Sequence, residues 1–179
     1  FSPAGLGPMS HTYHRLYRTR LCRGAWRDRT RPVLINNWEA TYFAFTPDKL
    51  VAIAREAAAI GVELFVLDDG WFGKRDDDRS GLGDWVVNED KLPGGLDALA
   101  QRIGAEGLRF GLWFEPEMVS PDSDLYRAHP DWCIHIPGRR RTVSRHQLVL
   151  DLSRDEVCEY VIDSLSAILA SAPIDYVKW

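Results

Sequence analysis

VELFVLDDGW (62–71) decides how this chain is read: an apolar run broken only by Glu63, then two carboxylates, a glycine and a tryptophan. Leu64–Leu67 shows no alternation, so the strand it predicts is covered on both faces, as in a parallel sheet. Three other runs share the pattern: RPVLINNW (31–38), RFGLWFEPE (109–117) and IDYVKW (174–179). They deliver Trp38, then Trp113, Glu115 and Glu117, then Lys178 and Trp179 to the strand tips, beside Asp68, Asp69 and Trp71 of the second run. The C-terminal ends of parallel strands are where a (β/α) barrel gathers its active site.

Between these strands the periodicity changes to helical. Thr46 is an N-cap candidate with Pro47 at the first helical position, and Leu50, Ile53, Ala54, Ala57 and Ala58 form an apolar stripe that stops at Gly61. GGLDALAQRIGAEG (94–107) supplies a second helix, and residues 155–171 a third, with Ser153 as its expected N-cap. The order is βαβαβαβ, the N-terminal half of a (β/α)8 TIM barrel, truncated at the end of strand four. Two long excursions leave the strand tips. Residues 70–95 carry RDDDR (75–79), which reads as a solvated loop. Residues 115–154 are expected to hold a short helix near Ser123–His129 and a hairpin made from WCIHI and QLVLDL. Excursions of this length inside a compact domain are usually functional. Residues 1–30 have no sustained period and read as a linker or entry segment, leaving 31–179 as the half barrel.

The 179 residues suffice for one domain but fall short of the roughly 250 of a complete barrel. With no initiator Met at Phe1 and a strand that stops at its tip, both ends read as cut. A net charge of −4 argues against a nucleic-acid partner. No apolar run approaches the eighteen or so residues of a membrane span. Cys22, Cys133 and Cys158 are odd in number and widely spaced, which suits reduced thiols in a cytoplasmic protein.

The tip residues suggest carbohydrate. Asp68 and Asp69 can accept hydrogen bonds from adjacent hydroxyls of a polyol, or hold a divalent metal. Trp38 and Trp113 offer aromatic faces to the C–H surface of a sugar ring. Trp179 shares that mouth, although packing over the core is the stronger expectation for it, as it is for Trp26, Trp85 and Trp132. Lys178, in an otherwise apolar strand, has to face a carboxylate or a polar pocket, because an unpaired buried ammonium is costly. Glu115 and Glu117, flanking Pro116, are candidates for a general acid and base, or for positioning their loop. Arg139, Arg140 and Arg141 read as a solvated face.

RPVLINNWEATYF, ELFVLDDGWFGKRDDD, LGDW, FGLWFEPEMVSPDSDLYRAHPDW, QLVLDLSR and IDYVKW, in this order, resemble the bacterial α-galactosidases of glycoside hydrolase family 36 from about Arg31 to Trp179. The resemblance implies a retaining barrel enzyme that uses two aspartates and neither metal nor cofactor. The nucleophile would follow Trp179 immediately, in KWD, and the acid/base would lie further on, so no catalytic residue falls within this chain. Asp68 and Asp69 would bind O4 and O6 of galactose, Trp38 and Trp113 would shape the subsite, and Lys178 and Arg145 would reach ring hydroxyls. Glu115 and Glu117 then become structural neighbours. The expected partner is a melibiose- or raffinose-type oligosaccharide, in a cytoplasmic homo-oligomer, a tetramer at full length. The chain departs from the family pattern at Ser144 and His146, where SRHQLVLDLS replaces GRNQLVLDLS, and at Ala44, where an acidic or amide residue is usual. The alternatives are a related glycosidase or galactosyl transglycosylase, a metal-dependent hydrolase built on Asp68, Asp69, Glu115 and Glu117, and a non-catalytic sugar-binding fragment.

Overall fold

The computed structural model describes residues 3–179, in two compact units, one ending at Pro32 and the other running Val33–Trp179. The first unit holds helix α1 (Leu6–Leu16), a π-helical turn (Tyr17–Leu21) and a 3₁₀ turn (Gly24–Arg27). A helix here differs from the linker expected of residues 1–30: Leu6, Met9, Tyr13 and Leu16 recur at helical spacing, and α1 buries none of them. Its basic residues are exposed, and Arg18 and Arg27 both pair with Asp28.

The second unit is built on a parallel sheet. Its strands are β1 (Leu34–Asn36), β2 (Leu64–Leu67), β3 (Arg109–Trp113) and, last in the chain, Tyr176–Lys178. They lie side by side in that order, with Leu64 level with Leu34 and Arg109, and Gly111 level with Tyr176. All four residues of β2 are buried, as the unbroken apolar run predicts. β1 is shorter than its run, because Trp38–Thr41 turns into a one-turn helix, α2. Asn37 sets that turn: its side-chain oxygen accepts the Asp68 amide at 2.7 Å while its Nδ2 donates to Thr41 Oγ1 at 2.8 Å.

The crossovers follow their sequence signals. Helix α3 (Pro47–Ala59) is capped by Thr46 Oγ1, which accepts the Lys49 amide at 3.3 Å, and it buries Leu50, Val51, Ala54 and Ala57. Helix α4 (Gly95–Ala105) buries Leu96, Leu99, Ala100 and Ile103. The excursion after β3 differs from expectation. Its ladder joins β4 (Met118–Val119) to β5 (Leu148–Val149) in antiparallel register. WCIHI pairs with QLVLDL only briefly, at the antiparallel bridge Cys133–Leu150, where the Ile134 and Asp151 amides donate to the Val149 and Trp132 carbonyls. The short helix α5 (Asp124–Ala128) forms where it was expected, and Ser123 caps it. Asp84 of LGDW reinforces that cap from the other excursion, accepting the amides of Asp124 and Leu125 at 2.9 Å each. Helix α6 (Asp155–Ala170) is capped at Arg154 and not at Ser153, whose hydroxyl is held by Asp151 at 2.6 Å. The last strand, Tyr176–Lys178, is β6.

Under the strand tips lies an aromatic floor of Trp71, Phe72, Trp85 and Phe114, with ring centroids 4.4–6.0 Å apart in successive pairs. Trp71 is therefore core and not a tip residue reaching out; its Nε1 donates to the Trp113 carbonyl at 3.0 Å. Trp85 and Trp132 are likewise buried.

Gly111 is where β3 meets β6 most closely. A Cβ there would lie 3.0 Å from Tyr176 Cβ and 3.1 Å from Tyr176 O. Gly111→Val is expected to lower stability by about 1–3 kcal/mol through overpacking, read as a lower urea midpoint. An unchanged midpoint would mean that β6 can move aside freely.

Candidate active site

Asp68 and Asp69 follow β2 directly and are both buried, two adjacent carboxylates in a space that must offset their charge. Asp68 is held from three sides. One oxygen accepts from both Asn36 Nδ2 and Lys178 Nζ, and the other accepts the Asp69 amide at 2.9 Å. The sequence expectation that Lys178 faces a carboxylate is met by the neighbouring strands β2, β3 and β6.

Asp69 is gripped differently. Arg75 Nε donates to Oδ1 at 2.9 Å and Nη2 to Oδ2 at 2.8 Å, a two-point fork. Arg75 has no exposed surface, and its Nη1 donates to the Ser80 carbonyl at 2.9 Å. The reading of RDDDR as solvated is thus wrong at its first residue and right for Asp76, Asp77 and Asp78, which are exposed. A buried carboxylate needs one guanidinium, and the loop turns that one inward. Gly70 makes the turn possible: its φ is +100°, and a Cβ would lie 2.9 Å from Phe43 Cδ1.

Arg145 reaches the site from a turn in the second excursion. Ser144 and Gln147 exchange backbone hydrogen bonds, and between them Arg145 and His146 have φ of 50° and 59°. Positive φ at both central residues is the type I′ pattern, which favours Asn-Gly and strains larger side chains. Gln147, buried beside the turn, donates from Nε2 to Glu115 at 2.8 Å. Burial pushes the Glu115 carboxyl above its ordinary range, while the Gln147 amide and the Arg145 charge pull it down. Glu117 accepts Trp179 Nε1 at 2.9 Å, and Trp179 itself is exposed rather than packed over the core. Arg141 is also less solvated than expected, donating to Tyr126 Oη and the Pro130 carbonyl, whereas Arg139 and Arg140 are exposed.

A concavity of about 260 Å³ gathers these groups: Trp38, Asp68, Asp69, Trp113, Arg145 and Lys178 all line it, with Glu115, Glu117 and Trp179 at its side. All six binding candidates named from the sequence share this one space. The residues missed were the supports, Asn36, Asn37, Arg75 and Gln147. The NN pair before Trp38 carried a signal, since two amides at the end of an apolar strand have to find partners.

The melibiase family model matches residues 1–179. The chain belongs to the melibiase family. It is 66% identical to the α-galactosidase AgaA of Geobacillus stearothermophilus over all 179 residues, and 53% identical to the bifunctional α-galactosidase/sucrose kinase AgaSK of Mediterraneibacter gnavus. The matched segment makes up 25% of the first protein and 19% of the second, so the chain spans about a quarter or less of the length of these curated relatives. Among solved structures, the family 36 α-galactosidase AgaB from Geobacillus stearothermophilus superposes with a TM-score of 0.93 at 67% identity, over 99% of this chain and 25% of that one. AgaA crystallised with raffinose gives the same TM-score at 66% identity, again over 99% of this chain and 25% of that one. The parallel α/β sheet is thus shared with this melibiase segment.

Two outcomes follow from the geometry. Placing Gly at His146 is expected to stabilise the protein by about 1 kcal/mol, by removing a left-handed side chain, measured as a higher urea midpoint; a lower one would mean that the imidazole makes a compensating contact. Glu115 tests the electrostatics. Because its folded-state pKa is raised, its contribution is most favourable at low pH and is lost as pH rises from the unfolded value, about 4.3, through the folded one. The stability of Glu115→Gln relative to wild type should therefore improve as pH is raised through that window; a pH-independent difference would contradict the burial.

Proposed function

We propose that this chain is the first half of the (β/α)8 catalytic barrel of a retaining α-galactosidase. The observation that carries the reading is the pair Asp68 and Asp69, held rigid by separate cations and opening with Trp38 and Trp113 onto one concavity. Fixed carboxylates beside aromatic faces suit a sugar with adjacent hydroxyls on one face, and the relatives named α-galactosidases, one crystallised with raffinose and another variant with stachyose, support galactose as that sugar. In this reading the Asp68–Asp69 pair takes O4 and O6 between them, Lys178 and Arg145 reach ring hydroxyls, and Trp38 and Trp113 form the subsite walls. Hydrolysis with retention needs a nucleophile and an acid/base. We place the nucleophile as an aspartate directly after Trp179 and the acid/base aspartate further along the parent chain. The substrate is a melibiose- or raffinose-type oligosaccharide.

The parent is further proposed to be a cytoplasmic homotetramer, with residues 1–30 leading from a β-sandwich domain. Three cysteines without disulfides are consistent with the compartment, and no described helix is long and apolar enough to cross a membrane. The metal-hydrolase alternative is disfavoured by charge: Asp68 and Asp69 already face an ammonium and a guanidinium, which would repel a divalent cation.

Asp68→Asn is the cleaner test, because Lys178 is partly exposed and can re-solvate, whereas Asp69→Asn strands a buried guanidinium. In the full-length protein, Asp68→Asn should lower kcat/KM for an aryl α-galactoside by about 10- to 100-fold, the equivalent of one lost partner for a bound hydroxyl. Asp69→Asn should in addition destabilise by about 3–5 kcal/mol. Wild-type turnover by a folded Asp68→Asn variant would sink the assignment.

A further inference from the structure

We propose that Arg75 is the positioning residue that fixes the Asp69 carboxylate for a sugar hydroxyl, and thereby sets how sharply the site distinguishes galactose from its C4 epimer. This rests on the galactosidase reading above. The argument begins with the two carboxylates being held in different ways. Asp68 has an ammonium and an amide on one oxygen and the Asp69 N–H on the other, three separate donors with no shared plane. Asp69 has a planar guanidinium on both oxygens at 2.9 and 2.8 Å. Two parallel bonds to a planar donor fix the plane of the carboxylate, which a point charge cannot do. The lone pairs left over on Asp69 then point away from the fork, in a direction set by Arg75.

Arg75 is itself immobilised. Its third nitrogen donates to the Ser80 carbonyl at 2.9 Å, its guanidinium carbon sits 5.7 Å from the Phe43 ring centroid, and its carbonyl accepts Lys91 Nζ at 2.9 Å. Lys91 also donates to the Gly70 carbonyl at 3.1 Å, tying the backbone next to Asp69 to the same frame. Burying an arginine completely is costly unless it is fully partnered, and this one is partnered by the carboxylate it orients. An axial and an equatorial hydroxyl at C4 differ in direction, so an acceptor locked in direction discriminates between them, while one free to swivel accommodates both.

The experiment uses the full-length protein carrying this chain, assayed on p-nitrophenyl α-galactoside and p-nitrophenyl α-glucoside. Arg75→Lys keeps the charge and loses the fork; Arg75→Ala leaves room for free guanidinium. The lysine variant should lose about a hundredfold in kcat/KM on the galactoside, the scale of a small misplacement, and lose much less on the glucoside, so that the ratio between the two collapses. Millimolar guanidinium chloride should restore galactoside preference to Arg75→Ala, and equal sodium chloride should not. A folded Arg75→Lys variant with unchanged preference overturns the proposal. So does an equal loss on both substrates without guanidinium rescue, or failure of both variants to fold even with guanidinium, since Arg75 would then serve only the fold. Wild type that neither binds galactose nor cleaves the galactoside overturns the functional reading instead, and this inference with it.

Discussion

Two carboxylates side by side at a buried strand tip cannot stand unless each meets a cation, and most of the second unit is arranged around that requirement. Asp68 and Asp69 are adjacent, buried and oppositely served: Lys178 arrives along the sheet and Arg75 arrives from the loop. Removing either cation would leave an uncompensated charge in a low-dielectric setting, which costs far more than the pair contributes. The two strongest constraints on the fold, sheet register and loop course, therefore meet at consecutive residues.

The long loop after β2 is explained by the same need. Residues 70–95 turn back at Gly70, bury Trp71 and Phe72 as an aromatic floor, insert Arg75 behind Asp69, and send Asp84 to cap α5 in the other excursion. The second excursion brings Arg145 on a turn of unfavourable backbone conformation and anchors it through Gln147 to Glu115. Strain of this kind persists where surrounding contacts over-determine it. Here the exchanged bonds of Ser144 with Gln147 and the burial of Gln147 do so.

What could be read from the sequence divides by how local the cause is. The parallel strands and helix α3 with its Thr46 cap declared themselves, because burial on both faces and capping are written in neighbouring residues. The six site-lining residues were legible because they sit at strand tips or, for Arg145, within a recognisable motif. Arg75 was not, because a charged run looks solvated until the fold supplies a buried partner six residues earlier. Trp71 misled for the opposite reason: its neighbours Phe114 and Trp85 are distant in sequence, so nothing local marked it as core. Ser153 was misassigned because Asp151 competes for its hydroxyl, a choice that pattern alone does not settle.

The pairing of Lys178 with Asp68 spans 110 residues of chain. Contacts of such sequence separation form late, since loop closure has to be offset before they reward it. During synthesis the β2 tip therefore emerges with Asp68 lacking its ammonium, until β6 docks alongside β3. The concavity that Asp68 and Lys178 line is thus completed only when β6 docks, and its charge balance closes at that step.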